Sequence, residues 1–171
     1  SKLQCEYARL RDSLASVRTD NQAFNEVLTR SIDDLRMLWT EGEDGGYYAA
    51  GLPWYATLFG RDSLITALQL LPFQPDAAKH CLQLLAKRQG TRLGPEPAEA
   101  PGKILHEVRA DEISNIGELP YASYYGTVDA TPLFLLLAGE YFRWTGDRAL
   151  LTQLMPSLDG ALAWIDEYGD S

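Results

Sequence analysis

Asp129 is the residue best placed for chemistry. It follows an aromatic, glycine-broken stretch, Tyr121 to Gly126, and precedes a run from Leu133 to Ala138 that contains no polar side chain. Pro132 suits the first turn of a helix and Thr131 suits its cap. A helix apolar on every side is expected to be buried all round. A carboxylate at the mouth of such a helix, walled by Tyr124, Tyr125 and Thr127, could act as a solvent-shielded acid. It could equally be a helix-start residue that caps the helix or answers its dipole. A second entrance of the same kind occurs at Gly60-Arg61-Asp62-Ser63, directly before the apolar run Leu64 to Leu71. There Asp62 reads as a cap with room for a second role, and Arg61 as a partner for a neighbouring carboxylate. Other chemistries lack their residues. His80 and His106 are too few and too scattered for a metal site, and His106-Glu107 lacks the second histidine of a zinc-protease helix. There is neither a phosphate-cradling glycine loop nor a serine nucleophile elbow.

Helices must carry both entrances. Leu3, Tyr7, Leu10, Leu14 and Val17 recur at helical spacing and predict an amphipathic helix over residues 2–18. Thr19-Asp20-Asn21 is a break and a cap signal. Phe24, Leu28, Ile32, Leu35 and Trp39 then predict a helix over about 22–39. Residues 40–61 hold Gly42, Gly45, Gly46, Gly51 and Pro53, which predict irregular backbone, and are rich in aromatics, which predicts a functional or covered loop. After the apolar helix that Pro72 and Pro75 end, residues 76–89 predict an amphipathic helix. Its Ala77, Ala78, Cys81, Leu82, Leu84 and Leu85 should face inward, and Lys79, Lys87 and Arg88 outward. A Pro/Gly/Glu loop follows over 90–102, then a loosely alternating, extended stretch from Lys103 to Ile113. Gly146-Asp147 should stop the central helix, with a short helix over about 147–154 and another from Pro156 to Tyr168. Apolar-all-round helices alternating with amphipathic ones predict an all-α chain with an inner and an outer layer, its long loops gathered at one rim. No repeat is strong enough for a named solenoid.

The chain has 171 residues, 46% hydrophobic and 23% charged, enough for one sizeable core in a single helical domain. Fifteen basic against 24 acidic residues give a net charge of −9, which makes nucleic acid and anionic membrane poor partners and leaves neutral ligands such as sugars open. No apolar run is long enough to span a bilayer, and no signal-peptide pattern starts at Ser1. Cys5 and Cys81 read as free core thiols in reducing, cytoplasmic surroundings.

Three stretches occur in order: Leu52-Pro53-Trp54-Tyr55-Ala56-Thr57-Leu58-Phe59-Gly60-Arg61-Asp62-Ser63-Leu64, Pro101-Gly102-Lys103-Ile104-Leu105-His106-Glu107-Val108-Arg109, and Tyr124-Tyr125-Gly126-Thr127-Val128-Asp129-Ala130-Thr131-Pro132-Leu133-Phe134. Together they resemble the amylo-α-1,6-glucosidase (glycogen debranching) family of six-hairpin glycosidases, over most of the chain from about Gly45 to Asp147. The resemblance implies a partial (α/α)6 toroid with its sugar site at one rim, an α-glucan or oligosaccharide substrate, and no cofactor. It implies that Arg61 and Asp62 hold a terminal glucose. The chemistry fits, because sugar hydroxyls want paired donors and acceptors. Trp54 and Phe59 would stack on the sugar's apolar face, although Trp54, Tyr55, Tyr124 and Tyr125 read as plainly as core. Tyr124 and Tyr125 would wall the site. Glu107 would be a rim ligand, although with Arg109 it reads most simply as a solvated strand face. Asp129 would be the general acid; Val128 stands where relatives often carry tryptophan.

Inverting hydrolysis needs a second carboxylate as base, about 6.5–9.5 Å from the acid. In the family it is a glutamate on a late hairpin, and nothing after Asp129 resembles it: Glu140 lies within the central helix and Glu167 near the end. Twelve helices of ~12 residues with ~5-residue connections need at least ~200 residues. The expectation is therefore the first half or slightly more of a toroid, inactive alone, with an open edge that favours self-association. A trehalase- or mannosidase-like hydrolase is the alternative among enzymes, distinguished by trehalose against a 1,6-branched oligosaccharide. A non-catalytic carbohydrate-binding or interaction module is the alternative of another class, which the missing base favours.

Overall fold

A computed structural model describes residues 15–42, 45–94, 98–108 and 123–169. The helix expected over 2–18 and the extended stretch beyond Val108 therefore lie largely outside the described residues. The described chain is mostly helical. In order it runs α1 (Gln22–Leu38), β1 (Trp39–Gly42), β2 (Gly45–Tyr48), α2 (Gly60–Leu70), α3 (Pro75–Lys87), β3 (Glu107–Val108), β4 (Ser123–Tyr124), α4 (Ala130–Thr145) and α5 (Arg148–Tyr168).

The local signals act much as their chemistry dictates. The Asn21 side chain accepts from Phe24 N–H at 3.1 Å and caps α1. On α3 the six residues expected to face inward are buried. Gly146 ends α4, and the Asp147 carboxylate accepts from Leu150 N–H at 3.0 Å to start α5. Three expectations need correction. Within the stretch expected to be irregular, residues 40–42 and 45–48 are not: β1 and β2 form an antiparallel pair that sets Trp39 against Tyr48 and Thr40 against Tyr47. The Tyr48 hydroxyl donates to buried Gln74 Oε1 at 2.8 Å and anchors the hairpin over α3. The two closing helices are one, because α5 runs through Pro156, which forfeits one backbone bond without ending the helix. Finally, Thr131 does not cap α4. It lies inside the first turn, fully buried, and its hydroxyl accepts from Ile104 N–H at 3.0 Å.

One core joins α2, α3, α4 and α5, with α2 touching both α3 and α4, and α4 touching α5. Phe134, Leu64, Leu82, Leu85, Ile104, Leu105 and Leu137 are its largest fully enclosed side chains. Neither α2 nor α4 is covered all round: Ile65 on α2 and Leu136 on α4 are exposed. α1 contributes no buried residue; it lies over the hairpin and the smaller cluster of Tyr48, Leu70 and Ala77.

Candidate functional site

The segment Ile104–Val108 brings the two helix entrances together through its backbone. Its backbone pairs on both sides. On one side Gly60 N–H donates to His106 O at 2.8 Å and Val108 N–H to Leu58 O at 2.9 Å, with Thr57 Oγ1 donating to Val108 O at 2.9 Å. On the other, His106 N–H donates to Tyr124 O at 2.7 Å, and Glu107 pairs with Tyr124. Gly60 is required here: a Cβ would stand 2.1 Å from the Leu105 carbonyl oxygen. The close approach sets the first turn of α2 directly beside the start of α4, where the Ala130 methyl would lie 3.4 Å from that Cβ.

The two N-termini consequently share one side of the molecule. Arg61 Nη1 lies 3.1 Å from Asp129 Oδ2, a bond between residues 68 apart in sequence, and Arg61 Nε lies 3.9 Å from Asp62 Oδ2. The other Asp129 oxygen, Oδ1, accepts from the Thr127 hydroxyl. Asp129 occupies the N-cap position, but its side chain makes no capping bond. Its oxygens accept from Thr127 and Arg61 and no side-chain cap bond to α4 forms, so the hydrogen-bonding form of the capping alternative does not hold. Asp62 likewise sits in the first turn of α2 rather than at its cap, which is Phe59.

The charge state of Asp129 follows from these neighbours. Burial pushes its carboxyl up, while hydrogen bonds from Thr127 and Arg61 and the Arg61 charge bring it below the usual aspartate range. Val128 is 74% exposed and does not cover it, and the Asp129 side chain is itself 37% exposed. In this arrangement Asp129 is a carboxylate at neutral pH.

Aromatic rings lead away from the carboxylates. Tyr55, Phe59, His106 and Tyr124 form a run of edge-to-face contacts with centroids 6.1, 5.7 and 5.9 Å apart. Phe59 and Glu107 meet in a backbone bridge, so Phe59, Glu107 and Tyr124 are brought to the same place. Tyr125 is not brought there: it is buried, its hydroxyl donating to Arg88 O at 2.7 Å. Trp54 is 87% exposed on the loop before α2, and no ring contact joins it to the run. His106 is the member that side-chain reasoning missed. Its Nδ1 is buried without a hydrogen-bond partner among the described residues, between the Phe59 and Tyr124 rings. Its place in the second of the three motif stretches was the available signal. Thr127 was also missed as a functional partner, though a hydroxyl two residues before a carboxylate is a local hydrogen-bonding pattern.

Elsewhere, an apolar cavity of about 250 Å³ between α1 and the α2–α3 turn is lined by Leu28, Ile32, Tyr48, Leu70 and Phe73, and shares no residue with the Arg61–Asp129 site. Among the described residues no group of three or more His, Cys, Asp or Glu could hold a metal ion, and no helix is long and apolar enough to cross a membrane. In comparisons with known proteins, no family model and no curated relative matches the chain.

Proposed function

We propose that this chain is the acid-bearing, sugar-holding part of a glycoside hydrolase acting on α-glucan, of the amylo-α-1,6-glucosidase type, and that its helices belong to an (α/α)6 toroid. The observation that supports this reading most is the ion pair between Arg61 and Asp129, which unites the two stretches of sequence most suggestive of sugar chemistry. Arg61 and Asp62 would take hydroxyls of the terminal glucose, with the Phe59 and Tyr124 rings beside it. Asp129 would deliver its proton to the glycosidic oxygen. The C1–O bond then breaks with its electron pair going to the departing alcohol. Water adds to C1 from the opposite face and gives its proton to a base, a glutamate outside the described residues.

The carboxylate state of Asp129 fits this sequence of events if binding changes its partners. Arg61 has five N–H donors, and a turn of the guanidinium toward sugar hydroxyls would loosen its hold on Oδ2. Burial is the largest single influence on Asp129 and pushes the carboxyl up. Loss of the cation and of water would move the carboxyl upward, against the Thr127 hydrogen bond that still lowers it. A second reading rests on the same observation: a carboxylate kept ionised by Arg61 is a good acceptor for sugar hydroxyls, which suits a binding module without catalysis.

The test uses a catalytically active polypeptide that contains this chain. Asp129→Asn should lower turnover of an α-1,6-linked glucoside by ~10²–10⁴-fold, the usual worth of a general acid. A glucosyl fluoride, whose leaving group needs little protonation, should be partly spared. Full activity of Asp129→Asn would end the acid assignment. Turnover of trehalose in preference to isomaltose would move the substrate assignment to the trehalase-like class.

A further inference from the structure

The two oxygens of Asp129 are not equivalent, and the residue that makes them so is Thr127. A carboxylate only accepts, so the direction of the contact is fixed: the Thr127 hydroxyl donates to Oδ1. Arg61 takes Oδ2. The two donors differ in how firmly they are held. Arg61 is a long side chain, 47% exposed, in contact with a second carboxylate, Asp62. Thr127 has one rotatable side-chain bond before its hydroxyl and sits in a braced turn. Its N–H donates to Tyr125 O at 2.8 Å, and Tyr125 is in turn fixed by its hydroxyl on Arg88 O. The turn is braced from the other side by Tyr124, whose ring folds over Gly126 so closely that a Cβ there would lie 2.1 Å from its hydroxyl oxygen. The α4 backbone makes no claim on either oxygen.

We propose that Thr127 is a positioning residue for Asp129: by keeping Oδ1 occupied as an acceptor, it leaves Oδ2, the oxygen facing Arg61, as the one that carries and transfers the proton. This rests on the reading of Asp129 as the acid, but the geometry it invokes belongs to the chain alone. When Arg61 turns to a sugar, Oδ2 is the oxygen freed, and it faces the space that the guanidinium had filled. Thr127 meanwhile prevents the carboxyl from rotating so as to present the wrong oxygen. A carboxyl held by one donor on one oxygen ionises more readily than one held by none. Thr127 therefore also limits how far the carboxyl rises once Arg61 has left.

The experiment follows the Asp129 side-chain carboxyl carbon by NMR through an acid titration of the chain, in the unsubstituted protein and in Thr127→Val, Thr127→Ala and Thr127→Ser. Val and Ala should move the Asp129 titration upward, and Ser should restore it. A purely structural role for Thr127 would lower thermal stability without moving the titration, and that result overturns the proposal. If neither Val nor Ala folds, the unsubstituted chain decides: a Thr127 hydroxyl proton protected from exchange at pH 7 supports the assignment, and one that exchanges freely with water overturns it. In an active polypeptide, activity that needs the protonated acid is lost as pH rises through its pKa, so Thr127→Val should move the basic limb of the pH profile upward and Thr127→Ser should return it. A fixed limb together with an inactive Asp129→Asn sinks the Thr127 role alone. An unimpaired Asp129→Asn with a shifted NMR titration sinks the acid reading and the proton transfer that rests on it, and leaves only the hold of Thr127 on the carboxylate.

Discussion

At Asp129, the sequence offers two readings that differ in where the carboxylate oxygens go, and the coordinates send them to Thr127 and Arg61 rather than to the α4 backbone. That difference has a measurable consequence for stability. A lost cap typically costs ~1 kcal/mol and is spared by Asn, an equally good cap. A partly exposed ion pair is worth ~0–1 kcal/mol and is lost with Asn and Ala alike. Asp129→Asn loses the charge pair with Arg61 but keeps an oxygen for the Thr127 hydroxyl, whereas Asp129→Ala loses both, so at pH 7 Asn should melt slightly below the unsubstituted chain and Ala lower still, by about the worth of one hydrogen bond, ~0.5–1.5 kcal/mol. The pH dependence has a definite sign. The folded-state carboxyl is held below the usual value, so its stabilising effect is present above the ordinary aspartate pKa of ~3.9 and lost as pH falls through the lowered folded value. Melting curves should show the unsubstituted chain converging on the Asn variant over that acid window. An Asn variant as stable as the unsubstituted chain at pH 7 would show that the Arg61 charge pair contributes nothing. Arg61 and Asp129 were each legible in sequence, because an Arg-Asp pair and a carboxylate stand at the entrances of apolar runs. Their contact was not, since no local pattern specifies a partner 68 residues away.

Helices were the legible elements, and for a physical reason. The stripes on α1 and α3 and the stop at Gly146 are local properties of the chain. The hairpin was not legible, because glycines read as breakers conceal a four-residue ladder whose second strand alternates between half-buried and buried. Thr131 was misread for a related reason. Thr before Pro is a cap pattern, but burial against Ile104–Leu105 gave the hydroxyl a non-local bond instead. That bond secures the segment between the two helix entrances, so its loss should be felt in both. Thr131→Val removes the acceptor and leaves a buried Ile104 N–H unpaired, at a cost of ~1–3 kcal/mol. Denaturant unfolding should show that loss for Val and substantially less for Thr131→Ser, which keeps the oxygen. Equal stability of Val and the unsubstituted chain would mean that Ile104 N–H has another acceptor.

Over the whole molecule, apolar surface remains uncovered on the last two helices: Leu136 and Trp144 on α4, Met155 and Leu162 on α5 are exposed. Surface of this kind favours association, which the net charge of −9 opposes at low ionic strength. Sedimentation velocity should show association that strengthens with concentration and with salt, and that Leu136→Glu combined with Leu162→Glu abolishes. A monomer at every salt concentration would show that these side chains do not form a joining surface. The backbone around His106 has a different consequence. A single peptide strand gives one hydrogen bond to Tyr124 O and receives another from Gly60 N–H, so the entrance of α2 cannot part from the strand leading to α4 without breaking that same strand free. The two walls of the site then open as one unit, on one clock. In hydrogen–deuterium exchange, the amides of Gly60, His106 and Val108 should lose their protons at a common rate, slower than the amides of the exposed loop around Trp54. Three separate rates would mean that each helix entrance moves independently rather than swinging with the strand between them.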